Sequence, residues 1–116
     1  MDQDVLGDKK VDATEEVVER ALGWMSSNIA NMAQSISNRQ HMEQWIKTVE
    51  AQEKAKRKAD PAHVQEREAR ASDDYRIAVD AFRDASFEEQ KLRYTWQFAE
   101  TVIEVWRTRC ANERKV

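Results

Sequence analysis

Apolar residues recur along two long stretches of this chain at steps of three and four, the signature of one buried face on a helix. In the first stretch Val18, Leu22, Met25, Ile29, Met32 and Ile36 are spaced 4, 3, 4, 3, 4. Met42, Trp45, Ile46 and Val49 continue the face after a slip in phase near Arg39 and Gln40, which leaves room for a kink. In the second stretch Ala71, Tyr75, Ala78, Phe82, Ala85, Glu89, Leu92, Trp96, Ala99, Ile103, Trp106 and Cys110 alternate steps of four and three without a slip. Glu89 is the single charged member of that run, and its seven-residue period is that of a left-handed coiled coil.

The punctuation between the stretches is local and specific. In Lys58-Ala59-Asp60-Pro61 the proline ring clashes with a preceding helical turn and offers no N–H, so an upstream helix stops there. The same ring suits the first position of a new helix, with Asp60 as its cap. At the start, Asp12 with Glu15 three positions on fits a capping box, placing the first helix boundary near Asp12 or Thr14. The pattern predicts a helix over about 12–59, a turn at 60–61 and a helix over about 61–112. Ser86 with Glu89 could cap a separate third helix. Residues 1–11 are polar, contain Gly7 and read as a flexible acidic arm, leaving 12–116 as one helical domain.

The predicted fold class is therefore all-α, a long antiparallel helical hairpin completed as a multi-helix bundle by oligomerisation. Composition supports helix: the 116 residues include two glycines and one proline, too few for the turns of a sheet protein. Folding back at residue 60 sets Val18 to Ile36 against roughly Phe82 to Val102, so the apolar halves meet at the end far from the turn. Residues 50–76 hold fourteen charged side chains, which makes the turn end a solvated tip.

Charge changes the picture little. The net charge of −3 divides into −4 over residues 1–20, −2 over 21–90 and +3 over 91–116, and an antiparallel hairpin brings the opposite-signed ends together. A lone cysteine, no apparent signal peptide and no apolar run near the roughly 20 residues of a membrane span predict a cytoplasmic protein without membrane contact. Candidate chemistry is sparse. His41, His63 and Cys110 stand in no metal-ligand spacing, no glycine-rich phosphate loop or serine elbow occurs, and the carboxylates fall where helix-surface ion pairs form. No catalytic residue, metal site or cofactor is predicted.

What the pattern offers is surface. Beside the main stripe of the second helix run Tyr94, Phe98, Val102 and Val105, and the first helix carries small residues Ser26, Ala30, Ala33 and Ser37 at 4, 3, 4 spacing. One partner helix cannot cover both, and contiguous apolar patches of this kind mark association. Trp24, Ile29, Ala30, Ala33, Trp96, Phe98, Val102 and Trp106 are the predicted contacts for a homo-oligomer, most simply a dimer, or for another protein. Two basic clusters, Lys54, Lys56, Arg57 and Lys58 by the turn and Arg107 with Arg109 beside Trp106, are the candidates for nucleic-acid contact.

The closing segment Glu104-Val105-Trp106-Arg107-Thr108-Arg109-Cys110-Ala111-Asn112-Glu113-Arg114 resembles the tails of small helical proteins of tailed bacteriophages, often encoded among early or recombination genes. The resemblance covers this segment alone and supplies no site residues. It implies counter-defence or recombination-accessory work, in which the protein binds and blocks or bridges a host protein in the host cytoplasm. A nucleic-acid-binding accessory factor and a structural assembly subunit are the alternative readings.

Overall fold

The computed structural model describes residues 13–114; the predicted arm at 1–11 and the Asp12 half of the predicted capping box lie outside them. All the regular structure of the described residues is helical, with α1 at Glu15–Ala55, α2 at Ala62–Arg70 and α3 at Asp73–Arg114. α1 and α3 form the predicted helical hairpin, and α2 is a short helix on its return limb. Two compact units make up the fold, one pairing 13–29 with 93–114 and the other formed by 30–92.

Each boundary has a local cause. Thr14 starts α1: its Oγ1 accepts a hydrogen bond from the Val17 N–H at 3.3 Å, and its carbonyl accepts from Val18 N–H at 2.9 Å. Glu15 and Glu16 sit in the first turn, where the helix dipole favours negative charge. α1 ends at Ala55, four residues before the predicted limit, because 56–60 tighten into turns with Arg57 N–H bonded to Lys54 O and Asp60 N–H to Arg57 O. The guanidinium of Arg57 also donates to the Glu53 carbonyl at 2.8 Å, satisfying an orphan carbonyl of the last turn.

Pro61, not Asp60, is the cap residue of α2, with φ −60° and ψ 154° and no side-chain cap bond. Its carbonyl accepts from both Val64 and Gln65 N–H at 3.0 Å, and the Gln65 amide donates to the Asp60 carbonyl at 2.8 Å. The helix predicted to run unbroken from Pro61 is interrupted at Ala71-Ser72. There the Ser72 hydroxyl donates to Ala69 O at 2.7 Å and accepts from Tyr75 N–H at 3.2 Å, while Asp73 and Asp74 occupy the first turn of α3. Ser72→Ala is expected to cost about 1 kcal/mol, read as a lowered urea midpoint. No break occurs at Ser86, which lies inside α3.

The seam between the helices follows two seven-residue patterns. On α3 every predicted stripe member from Tyr75 to Cys110 is buried or half-buried; Ala71, at the break, is exposed. On α1 the inward face is Val18, Ala21, Met25, Asn28, Met32, Ser35, Arg39, Met42, Ile46, Val49 and Glu53, none of them exposed. This corrects the predicted phase. Leu22 and Ile29 are 51% and 59% exposed, and their places are taken by Ala21 and Asn28. With Asn28, Ser35 and Arg39 admitted, the steps of three and four continue through 39–40 with no slip, and α1 runs through that point uninterrupted.

The polar members of the seam are satisfied, as burial requires. Asn28 Nδ2 donates to the Trp24 carbonyl at 2.9 Å and Ser35 Oγ to the Met32 carbonyl at 2.8 Å. Arg39 Nε donates to Glu89 Oε1 at 2.5 Å across the seam, with Glu43 as a second, longer partner at 3.5 Å. The Glu89 hydrogen bond, opposed by partial desolvation, is the chief cause holding the Arg39 guanidinium above its ordinary pKa. Glu89 is 5% exposed, so a charge there calls for close partners such as this guanidinium. Among the described residues no buried side-chain nitrogen or oxygen lacks a hydrogen bond.

Gly23 occupies an exposed mid-helix position of α1, where an added Cβ meets nothing within 4 Å. Gly23→Ala should stabilise the protein by roughly 0.5–1 kcal/mol through helix propensity, measured by chemical denaturation.

Candidate protein-binding face

The turn-end unit spends its charges on itself. Lys54 Nζ lies 2.9 Å from Glu50, Lys56 Nζ 2.6 Å from Glu53, and Arg57 3.3 Å from the other oxygen of Glu53, which is itself buried. Arg70 reaches Glu50 at 3.6 Å and Glu66 at 2.9 Å. Three of the four side chains of the predicted basic cluster at 54–58 are thus committed to carboxylates of α1. In the other predicted cluster Arg107 pairs with Glu104 at 3.5 Å. Basic residues matched in this way present phosphates with little unbalanced charge.

The same pairing sets a pH response. Hydrogen bonds from Lys54 to Glu50 and from Lys56 to Glu53 hold both carboxyls below the usual carboxylate range, against the opposing pull of burial. A carboxyl whose folded pKa lies below its unfolded value binds its proton more tightly in the unfolded chain. Its contribution is fully present above about pH 4.3 and is lost as the pH falls through the folded value. The urea midpoint is therefore expected to hold from pH 7 to 5 and to drop below pH 4. A midpoint that rises on acidification would contradict these pairings.

In the unit formed by 13–29 and 93–114, the predicted contact residues divide. Trp24 and Trp96 turn toward each other, ring centroids 6.2 Å apart at 62°, an edge-to-face pair within the hairpin. Val102 is 2% exposed and is the largest fully buried side chain among the described residues. Trp106 is half-buried beside Cys110, Arg107 and Arg114 in a shallow hollow. Trp24, Trp96 and Val102, predicted as contacts for a partner, are thus engaged within the chain, while Trp106 keeps part of its surface open to the hollow. Ile29 and Phe98 remain exposed, as does Ser26 of the small-residue face; Ala30, Ala33 and Ser37, which belong to the other unit, are exposed as well.

On α3 the exposed aromatic residues are ordered, while Ile77 and Val79, also exposed, stand nearer its amino end. Tyr94 and Phe98 are 64% and 61% exposed, one turn apart, and Phe87 is 58% exposed two turns before Tyr94. With Lys91, Thr101 and half-buried Val105 they form a second stripe, 87, 91, 94, 98, 101, 105, with steps 4, 3, 4, 3, 4, on the side of the helix away from the seam. Lys91 Nζ stands over the Phe87 ring, 5.8 Å from its centroid. Sequence reasoning found Tyr94, Phe98 and Val105 but grouped them with Val102, which belongs to the seam. Phe87 went unnoticed, although it lies seven residues before Tyr94.

Among the described residues no three metal-capable side chains gather, and no helix is long and apolar enough to cross a membrane. The chain matches no protein-family model, no curated protein and no solved structure.

Proposed function

We propose that this protein is a non-catalytic helical interaction factor whose outer α3 face docks another protein surface, so that the hairpin blocks or bridges its partner. The observation that carries this reading is the exposure of Tyr94 and Phe98 on successive turns of one helix. Large aromatics of this kind lose water-exposed area when covered and serve as interface anchors. The charged turn end, internally neutralised, supports a solvated tip in preference to a nucleic-acid contact. A bacteriophage factor that acts on a host protein in the host cytoplasm is the form this role takes under the resemblance of residues 104–114.

Phe98→Glu separates the face from the fold, because the side chain is exposed and takes no part in the seam. Affinity capture from a host lysate with the wild-type chain should retain a protein that the variant loses, with both chains equally helical by circular dichroism. Equal capture by both chains would exclude the outer face of α3.

A further inference from the structure

The apolar members of the outer stripe of α3 are placed symmetrically along it. About Trp96 as centre, Tyr94 mirrors Phe98, Lys91 mirrors Thr101 and Phe87 mirrors Val105. A surface of this kind is complementary to itself under a two-fold axis, the condition for an interface that uses one patch on both subunits. The 4, 3, 4, 3, 4 spacing is also that of a coiled-coil seam, and its extent, roughly 27 Å at 1.5 Å per residue, exceeds what isolated exposed residues would show. Resting on the reading of this face as protein-binding, we infer that its occupant is a second copy of this chain, α3 packed antiparallel on α3 with the axis at residue 96.

Charge selects that arrangement. In the antiparallel register the residues flanking the stripe bring Arg83 toward Glu104 of the second copy and Glu88 toward Arg109 of the second copy, each twice by symmetry, and no flanking like-charged pair arises. A parallel, in-register pairing would instead place Lys91 against Lys91 of the second copy in the middle of the stripe. Sliding the antiparallel register by one heptad toward the amino end sets Val105 against Asp80 of the second copy. The existing partners of Arg83, Glu104 and Glu88 do not oppose the exchange: Arg83 with Asp80, Glu104 with Arg107 and Glu88 with Lys91 are pairs of exposed side chains, each at least 53% open to solvent, and such pairs are readily traded.

Cysteine cross-linking in a Cys110→Ser background tests both occupant and register. Gln97 lies beside the proposed axis, so Gln97→Cys should form a disulfide-linked dimer under mild oxidation. Thr108→Cys, some 36 Å from its own copy at 1.5 Å per residue, should remain monomeric. Light scattering on the unlinked wild type should give a dimer mass at micromolar concentration, and Phe98→Glu should weaken association by at least ~30-fold. A monomer mass across the concentration range overturns the second-copy inference while leaving capture of a different protein by the same face intact. Cross-linking at Thr108 equal to that at Gln97 overturns the antiparallel register.

Discussion

Trp96→Ala is expected to lower stability by about 2–3 kcal/mol, below the ~3–5 kcal/mol of a fully buried tryptophan because the ring is half-covered. In a chain of this size that corresponds to a fall of roughly 10–20 °C in Tm. The loss has two sources. The indole leaves a gap on the seam one turn before Ala99, which is nearly inaccessible, and the edge-to-face contact with Trp24 disappears. Trp24→Ala removes the same contact from the other side, so the double variant should lose less than the sum of the singles. Additive losses in thermal melts would mean that the two rings do not stabilise one another.

Arg39 and Glu89 should show the strongest coupling in the molecule. Glu89→Leu alone leaves the guanidinium beside the seam with the longer Glu43 contact, and Arg39→Met alone takes the cross-seam guanidinium away from a buried carboxylate. Each single variant is destabilised, Arg39→Met the more, because breaking a buried pair from one side leaves an uncompensated charge. The double variant Arg39→Met/Glu89→Leu restores an apolar layer and should recover most of the lost stability in urea unfolding. The physical role of the pair is register. Sliding one helix by a heptad would set Arg39 against Phe82 or Trp96 and separate the two charges, so this layer fixes how the hairpin zips. A double variant as unstable as the worse single would contradict that role.

The α3 seam was legible because its members are apolar from Tyr75 onward, apart from Glu89, and hydrophobic periodicity registers such residues directly. The α1 seam was misphased for the opposite reason. Asn28, Ser35 and Arg39 lie on it, and a search for apolar residues passes over them in favour of Leu22 and Ile29, which face outward. The slip inferred at Arg39 and the charged member of the other stripe, Glu89, were two symptoms of one ion pair, but nothing in either segment alone names its partner fifty residues away. The break at Ala71-Ser72 was written in Ser72-Asp73-Asp74, a good cap followed by two acids. It was missed because Ala71 keeps the phase of the stripe across the interruption. For the site, Tyr94 and Phe98 were found from spacing alone. The mixture of seam and surface in the predicted contacts, with Trp24, Trp96, Trp106 and Val102 among them, arose because a sequence shows which residues are apolar and not which of two faces the partner helix takes.

The assignment of an association face on α3 separate from the seam is tested most directly by thermal unfolding, followed by circular dichroism over a range of protein concentrations, for the wild type and Tyr94→Glu/Phe98→Glu. Association of folded chains raises Tm with concentration by mass action. The wild-type Tm should therefore climb as protein is added, while the variant keeps full helicity and a Tm fixed at the dilute wild-type value. A wild-type Tm independent of concentration, or a variant that loses its helicity, would contradict it.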